Sequence, residues 1–171
     1  KYRRMIIELL FSERNHICAI CVANNNCELQ KMGYELGMDH VRFPYLYPVC
    51  EVDATHEKFT MDHNRCILCT RCVRFGDEIT KTHDFGVFNR GDHSELDIYP
   101  GKELNNKYSG NVADICPVGA LTDRDFRFKM RVWYLAETES ICPGCSRGCN
   151  IFIHHEKSRP YHSNKDRVMR L

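Results

Sequence analysis

Three cysteines stand three apart in RCILCTRCVRFGDE: Cys66, Cys69 and Cys72. Such spacing crowds the sulfurs towards one point, which suits a metal better than mutual disulfides. Bacterial ferredoxins run C-x2-C-x2-C-x3-C-P, and the fourth cysteine serves the other cluster of the pair. Here that place holds Gly76, followed by Asp77. The missing fourth ligand is most simply Cys116 of ICPVGA, which is followed by Pro117 as ferredoxin cross-ligands are. Cys66, Cys69, Cys72 and Cys116 then make a complete set for one [4Fe–4S] cluster. Counting back from Cys116 by ferredoxin spacing reaches Val112, Ser109 and Asn106, and no cysteine. All four ligands of a twin cluster are replaced, with Gly76 the fourth. The pattern is that of a ferredoxin-like domain that keeps one cluster of two.

Two more groups resemble this one in type. HICAICVANNNC brings together His16, Cys18, Cys21 and Cys27. Three thiols and an imidazole suit either a tetrahedral zinc or an iron–sulfur cluster. CPGCSRGCN holds Cys142, Cys145 and Cys149, and no cysteine follows. Its fourth ligand is His154, His155 or His162, or lies beyond Leu171; the last is the preferred reading. Cys50 is left over and reads as a small packed side chain.

The elements that must position these groups follow from periodicity. Residues 1–13 read as a helix with Met5, Ile6, Leu9 and Leu10 on one face. Residues 27–38 read as a second, striped by Leu29, Met32 and Leu36 and weakened by Gly33 and Gly37. Pro44 and Pro48 keep 43–49 extended. Short strands are expected at 58–67 and 94–99, a short helix over 69–75, and strands from Val132 onward. The fold class is α+β. It comprises a one-histidine, three-cysteine segment (1–42), a ferredoxin-like 4Fe-4S domain (43–130) and the start of a β-rich module (131–171).

Composition narrows the function. Eleven cysteines, an odd number, argue against a secreted disulfide scaffold. A net charge of +1 provides no general field for nucleic acid. Only the tail is locally basic, with Lys157, Arg159, Lys165, Arg167 and Arg170, and it reads as a solvated face or partner contact. No run is long and apolar enough to span a bilayer. Residue 1 is Lys, so an upstream targeting segment is not excluded. Neither a phosphate-cradling glycine loop nor a nucleophile–base pair is evident, and FNRGDH and PVGA are not phosphate fingerprints. The residues therefore point to relay of single electrons. Arg65, Arg71 and Arg74, beside the second cysteine set, are expected to raise its potential. The competing class is a zinc-stabilised structural or interaction module without redox activity.

In their order along the chain, H-x-C-x2-C-x5-C, RCILCTRCVR, ICPVGALT and CPGCSRGCNI resemble the large iron–sulfur subunit of respiratory complex I. They also resemble the diaphorase iron–sulfur subunit of NAD-reducing hydrogenases and the electron-input part of formate dehydrogenases. The resemblance implies an electron-transfer subunit of an NADH dehydrogenase-type oxidoreductase. It implies two [4Fe–4S] clusters, one on His16, Cys18, Cys21 and Cys27 and one on Cys66, Cys69, Cys72 and Cys116. A third, on Cys142, Cys145 and Cys149, would open a molybdopterin-oxidoreductase-like domain and be completed in a longer chain. A [2Fe–2S] domain would precede residue 1. The implied partners are a flavin-containing NADH-oxidising subunit and a downstream redox subunit, with no nucleic acid. The implied location is cytoplasmic, or peripheral on the cytoplasmic or matrix side of a membrane complex. One departure is that complex I sequences commonly place three residues between the histidine and the first cysteine. Here only Ile17 intervenes, as in the hydrogenase diaphorase version.

Overall fold

A computed structural model describes residues 1–156 and the backbone of 168–170. His162, Lys157, Arg159, Lys165 and Arg167, and the side chain of Arg170, lie outside the described residues. The chain divides into two compact units, Lys1–Asp125 and Phe126–Leu171.

The first unit opens with helix α1, Tyr2–Glu13. Its buried face differs from the apolar stripe expected from sequence. Met5, Ile6 and Leu9 are exposed, whereas Ile7, Glu8 and Ser12 are buried. The reason is a buried carboxylate. Glu8 is fully enclosed and takes 2.8 Å bonds from Arg42 and a 2.9 Å bond from Arg4. That bonding lets the helix turn a charged residue inwards, since a buried charge must be paired. Helix α2, Glu28–Glu35, ends in a Schellman turn. The Gly37 N–H bonds Tyr34 O and the Met38 N–H bonds Gly33 O, with Gly37 at φ +62°. Gly37 thus closes the second helix, and Gly33 lies within it. Ile7, Leu29, Val118 and Ala120 form a core under both helices.

Strands β1 (Val52–Asp53), β2 (Phe59–Asp62) and, after Cys116, β5 (Leu121–Asp123) make an antiparallel sheet with β2 central. The strand expected over 58–67 stops at Asp62, whose carboxylate accepts the Asn64 N–H and caps a 3-10 turn at His63–Arg65. Helix α3, Arg71–Arg74, runs straight into a π-helical turn, Phe75–Thr80. A hairpin follows, β3 (Phe85–Phe88) with β4 (Glu95–Ile98), then the short helix α4, Asn111–Ile115. Pro117 disfavours helical geometry at Cys116, so α4 stops there and Cys116 is extended.

A second core holds Phe59, Phe85, Leu104 and Val112, with Cys66 and Cys116 packed against both cores. The four positions that would serve a twin cluster are occupied otherwise. Gly76 is buried, Val112 belongs to this core, Ser109 is fully buried, and Asn106 donates to Asp84 at 3.3 Å.

The second unit is an antiparallel sheet of β6 (Leu135–Ile141), β7 (Asn150–Glu156) and β8 (Val168–Arg170). The third cysteine triad occupies the loop between β6 and β7.

Candidate metal centres

The loop Cys18–Cys27 is built by short-range turns. A 3-10 turn covers Cys18–Ile20, and the Cys21 N–H bonds Cys18 O at 3.1 Å. Asn25 takes the left-handed conformation at φ 67°, which asparagine tolerates better than most residues. The Gln30 side chain reaches back from α2 to Asn25 N and Asn24 Oδ1 at 2.7 and 2.8 Å. These contacts tie the loop to the helix that follows it.

His16, Cys18, Cys21 and Cys27 all line one cavity, together with Phe11, Arg65 and Gly119. The Phe11 ring meets the imidazole edge-on, centroids 5.5 Å apart. His16 Nε2 is buried and has no hydrogen-bond partner. Burial, with Arg65 and Arg14 nearby, pushes the His16 pKa down to about 4, so the ring is neutral at pH 7. A neutral ring with an unpaired, buried nitrogen, on a residue that lines one cavity with three thiols, suits a metal-ligating histidine. Burial also raises the Cys18 and Cys27 thiols, so thiolates there need a cation to form. Gly119 is required by close approach, since a Cβ there would stand 2.4 Å from Cys21 Sγ.

Cys66, Cys69, Cys72 and Cys116 line a second cavity. Leu68 and Thr70 adopt positive φ, 52° and 59°, and so bend the C-x2-C-x2-C loop around it. Backbone N–H groups point at two of the sulfurs, Leu68 to Cys66 Sγ at 3.4 Å and Leu121 to Cys116 Sγ at 3.5 Å. Burial pushes the Cys66 thiol up to about 11 and Cys72 up to about 12, with Cys69 and Cys116 adding to both. Burial raises the Cys116 thiol too, so ionised Cys66, Cys72 and Cys116 are stable there only beside positive charge.

Among the described residues no three His, Cys, Asp or Glu side chains close on a single metal ion. The residues of each set line one cavity between them, an arrangement that fits a multi-iron cluster. The orphaned His16 nitrogen, the Gly119 cradle and the N–H groups aimed at sulfur fit the same group.

The two cavities share Val118 as a wall. Arg65 lines the His16 cavity and is absent from the lining of the other, where the sequence placed its influence. Arg71 lines the Cys66 cavity. Cys50 lines neither; its sulfur accepts a 3.3 Å bond from Arg14. Nothing in the spacing of the cysteines pointed to Gly119, whose role comes from a contact nearly a hundred residues away along the chain.

The third triad is not enclosed in this way. Cys145 and Cys149 are exposed and Cys142 half-buried, with the Cys142 N–H bonded to Cys149 O at 2.8 Å across the loop. The hairpin register pairs Ile141 with Asn150, Glu137 with His154 and Ala136 with His155. At about 3.3 Å per strand residue, His154 and His155 stand more than 10 Å along β7 from the cysteine loop.

Two family models match the chain. Residues 57–122 match the ferredoxin-like domain of NADH-quinone oxidoreductase subunit 3, and residues 3–42 match the NADH-ubiquinone oxidoreductase-G iron-sulfur binding region. Over these residues the chain is similar to the iron–sulfur subunits of NADH-quinone oxidoreductases. It is 33% identical over its whole length to the NADPH-Fe(3+) oxidoreductase subunit alpha of Geobacter sulfurreducens, of which it spans 19%. It is 37% identical to the mitochondrial NADH dehydrogenase [ubiquinone] iron-sulfur protein 1 of Solanum tuberosum, over 90% of the chain and 21% of that protein. Against the NADH-ubiquinone oxidoreductase 75 kDa subunit of Reclinomonas americana it is 38% identical, over 90% of the chain and 22% of that subunit. The chain thus spans about a fifth of these relatives. It is also similar to a chain of an NAD+-reducing [NiFe]-hydrogenase in the H2-reduced state, with TM-score 0.69 and 34% identity, covering 77% of this chain and 57% of that one. Ferredoxin-like and 4Fe-4S domains with mixed helices and strands are therefore its architecture.

Proposed function

We propose that this chain holds two [4Fe–4S] clusters and relays single electrons between them. His16, Cys18, Cys21 and Cys27 would ligate one, and Cys66, Cys69, Cys72 and Cys116 the other. The observation that carries this reading is that each set lines its own cavity, with Val118 common to both walls. When bound, each cluster supplies a one-electron carrier whose potential depends on charge, hydrogen bonding and exposure. The chain's own residues hold the ligands, keep His16 neutral and aim N–H groups at Cys66 and Cys116.

The relatives are subunits of NADH- or NADPH-linked oxidoreductases by name. In the whole protein, electrons would arrive from a flavin-containing NADH-oxidising subunit and leave to a downstream redox subunit. An upstream [2Fe–2S] domain belongs to the same reading. Cys142, Cys145 and Cys149 would open a further 4Fe-4S site, its fourth ligand beyond Leu171, within a molybdopterin-oxidoreductase-like domain starting near Arg131. The three functional segments are 1–42, 43–130 and 131–171. No helix among the described residues is long and apolar enough to cross a membrane. The assembly would work in the cytoplasm, or peripherally on the cytoplasmic or matrix side of a membrane.

Iron, acid-labile sulfide and zinc content after anaerobic purification tests the reading, together with EPR of the reduced protein. About eight irons with matching sulfide per chain are expected, two cubanes' worth. Zinc without sulfide would overturn it and leave a structural module.

A further inference from the structure

We propose that Arg65, balanced by Asp62, sets the reduction potential of the cluster held by His16, Cys18, Cys21 and Cys27. This deepens the ligand reading above and rests on it. Arg65 is adjacent in sequence to Cys66, but its side chain lines the other cavity, beside His16 and the three thiols of the first set. Its Cδ lies 3.4 Å from the point at Gly119 that is also 2.4 Å from Cys21 Sγ. Arg65 and Cys21 therefore both approach the backbone at Gly119.

The charge is poorly hydrated and held still. The Arg65 side chain is 13% exposed and that of its ion-pair partner Asp62 only 2%. Arg65 Nη1 donates to Asp62 Oδ2, while Arg65 Nε is buried with no hydrogen-bond partner. Asp62 is anchored in turn. Its carboxylate accepts from Asn64 N at 3.1 Å, and its own N–H bonds Ala120 O at 2.7 Å. Asp62 ends β2 and caps the turn that carries Arg65, so both groups stand on ordered backbone.

Reduction adds one negative charge to a cluster with three thiolate ligands. A fixed cation at the cavity wall stabilises the reduced form more than the oxidised one, and low local polarity strengthens the effect. A fixed anion does the reverse. Arg65 lines the cavity and Asp62 does not, so the net tuning is the effect of the cation less that of its partner anion. The other arginines are placed differently. Arg14 also acts on His16, but it does not line the cavity, and its terminal nitrogens bond Cys50 Sγ and Ser94 O. Arg71 lines the second cavity and is clamped by Glu28.

A merely structural pair would tether the Cys66 loop to β2, and its loss would lower stability or cluster content. Only an electrostatic role gives shifts of opposite sign from the two partners. The test is an EPR-monitored redox titration of the full-length protein in its complex, comparing Arg65→Gln, Arg65→Lys and Asp62→Asn. The midpoint of the Cys66 cluster serves as internal reference. The expected result is a negative shift of the His16-dependent midpoint in Arg65→Gln and a positive shift in Asp62→Asn. Arg65→Lys, which keeps the charge, should stay near the unaltered value. An unchanged midpoint in Arg65→Gln, or shifts of the same sign in both variants, overturns the proposal. If Arg65→Gln does not retain the cluster, the sign of the Asp62→Asn shift decides. Absence of any His16-dependent signal in the unaltered protein overturns the ligand reading itself, and the tuning with it.

Discussion

Arg71 grips Glu28 with both arms of its guanidinium, Nη1 to Oε1 at 2.6 Å and Nη2 to Oε2 at 2.7 Å. Glu28 directly follows Cys27, and Arg71 directly precedes Cys72. The pair thus staples the segment carrying the first cysteine set to the segment carrying the second. A second tie runs beside it, from Glu28 N to Pro117 O at 2.8 Å, next to Cys116. The two sites are therefore built on one framework.

Both partners of this staple are substantially exposed, at 41% and 55%, so water and salt weaken it. Glu28→Gln should cost less than about 1 kcal/mol of stability. It should also leave the Arg71 charge uncompensated at the wall of the Cys66 cavity. The expected outcome is a small positive shift of that cluster's midpoint, shrinking as ionic strength rises. A redox titration at two salt concentrations checks it.

Gly119→Ala should abolish the His16 site and spare the other. The added methyl would stand 2.4 Å from Cys21 Sγ, with Ala23 and Arg65 close on the remaining sides. Iron should fall from about eight to about four per chain, one cubane's worth. Gly76→Ala is the control. Its methyl would meet nothing nearer than Asp84 N at 3.8 Å, an ordinary contact, and φ there is not positive. Iron content should be unchanged in that variant, with stability neutral or raised by up to about 1 kcal/mol.

The docking of α1 should be acid-sensitive through Glu8. Arg42, and then Arg4, hold this carboxylate below the usual range. A folded-state pKa that is depressed contributes stability above the unfolded value, near 4.3 for glutamate. That contribution is lost as pH falls through the folded value. Thermal melts between pH 7 and pH 3 should show a steeper acid loss for the unaltered chain than for Glu8→Gln. Glu8→Gln should also be less stable at pH 7, because Arg4 and Arg42 lose their charged partner.

Phe59→Ala tests the core that holds the second cavity in shape. Phe59 is 1% exposed, lies in the central strand, and sits 6.3 Å from Phe85, centroid to centroid. The loss should be about 3 to 5 kcal/mol, measured by denaturant unfolding of the metal-free chain. The same variant should lose iron from the Cys66 set, because Cys66, Cys72 and Cys116 belong to that core or pack against it.

The features legible along the chain are mostly local. Cysteines three apart must share a turn, so the grouping of Cys18 with Cys21, and of Cys66 with Cys69 and Cys72, follows from spacing. Cys116 reads into the second set from the proline after it, a ferredoxin pattern, and it lines the same cavity as Cys66, Cys69 and Cys72. Helices near 2–13 and 28–35, the strand near Glu95–Ile98 and the strands after Val132 follow from periodicity. Which way side chains face is settled by packing in three dimensions. The apolar stripe of α1 reads as its buried face, but Arg4 and Arg42 satisfy Glu8 and bury that side instead. Arg65 reads as belonging to the cluster of its neighbour Cys66, yet its side chain turns to the cavity of Cys21. The contact of Gly119 with Cys21 and the clasp of Arg71 on Glu28 join residues far apart in sequence. Spacing along a chain reports what covalent geometry enforces over a few residues. Contacts between distant segments depend on how cores and buried charges pack, and no local pattern encodes that.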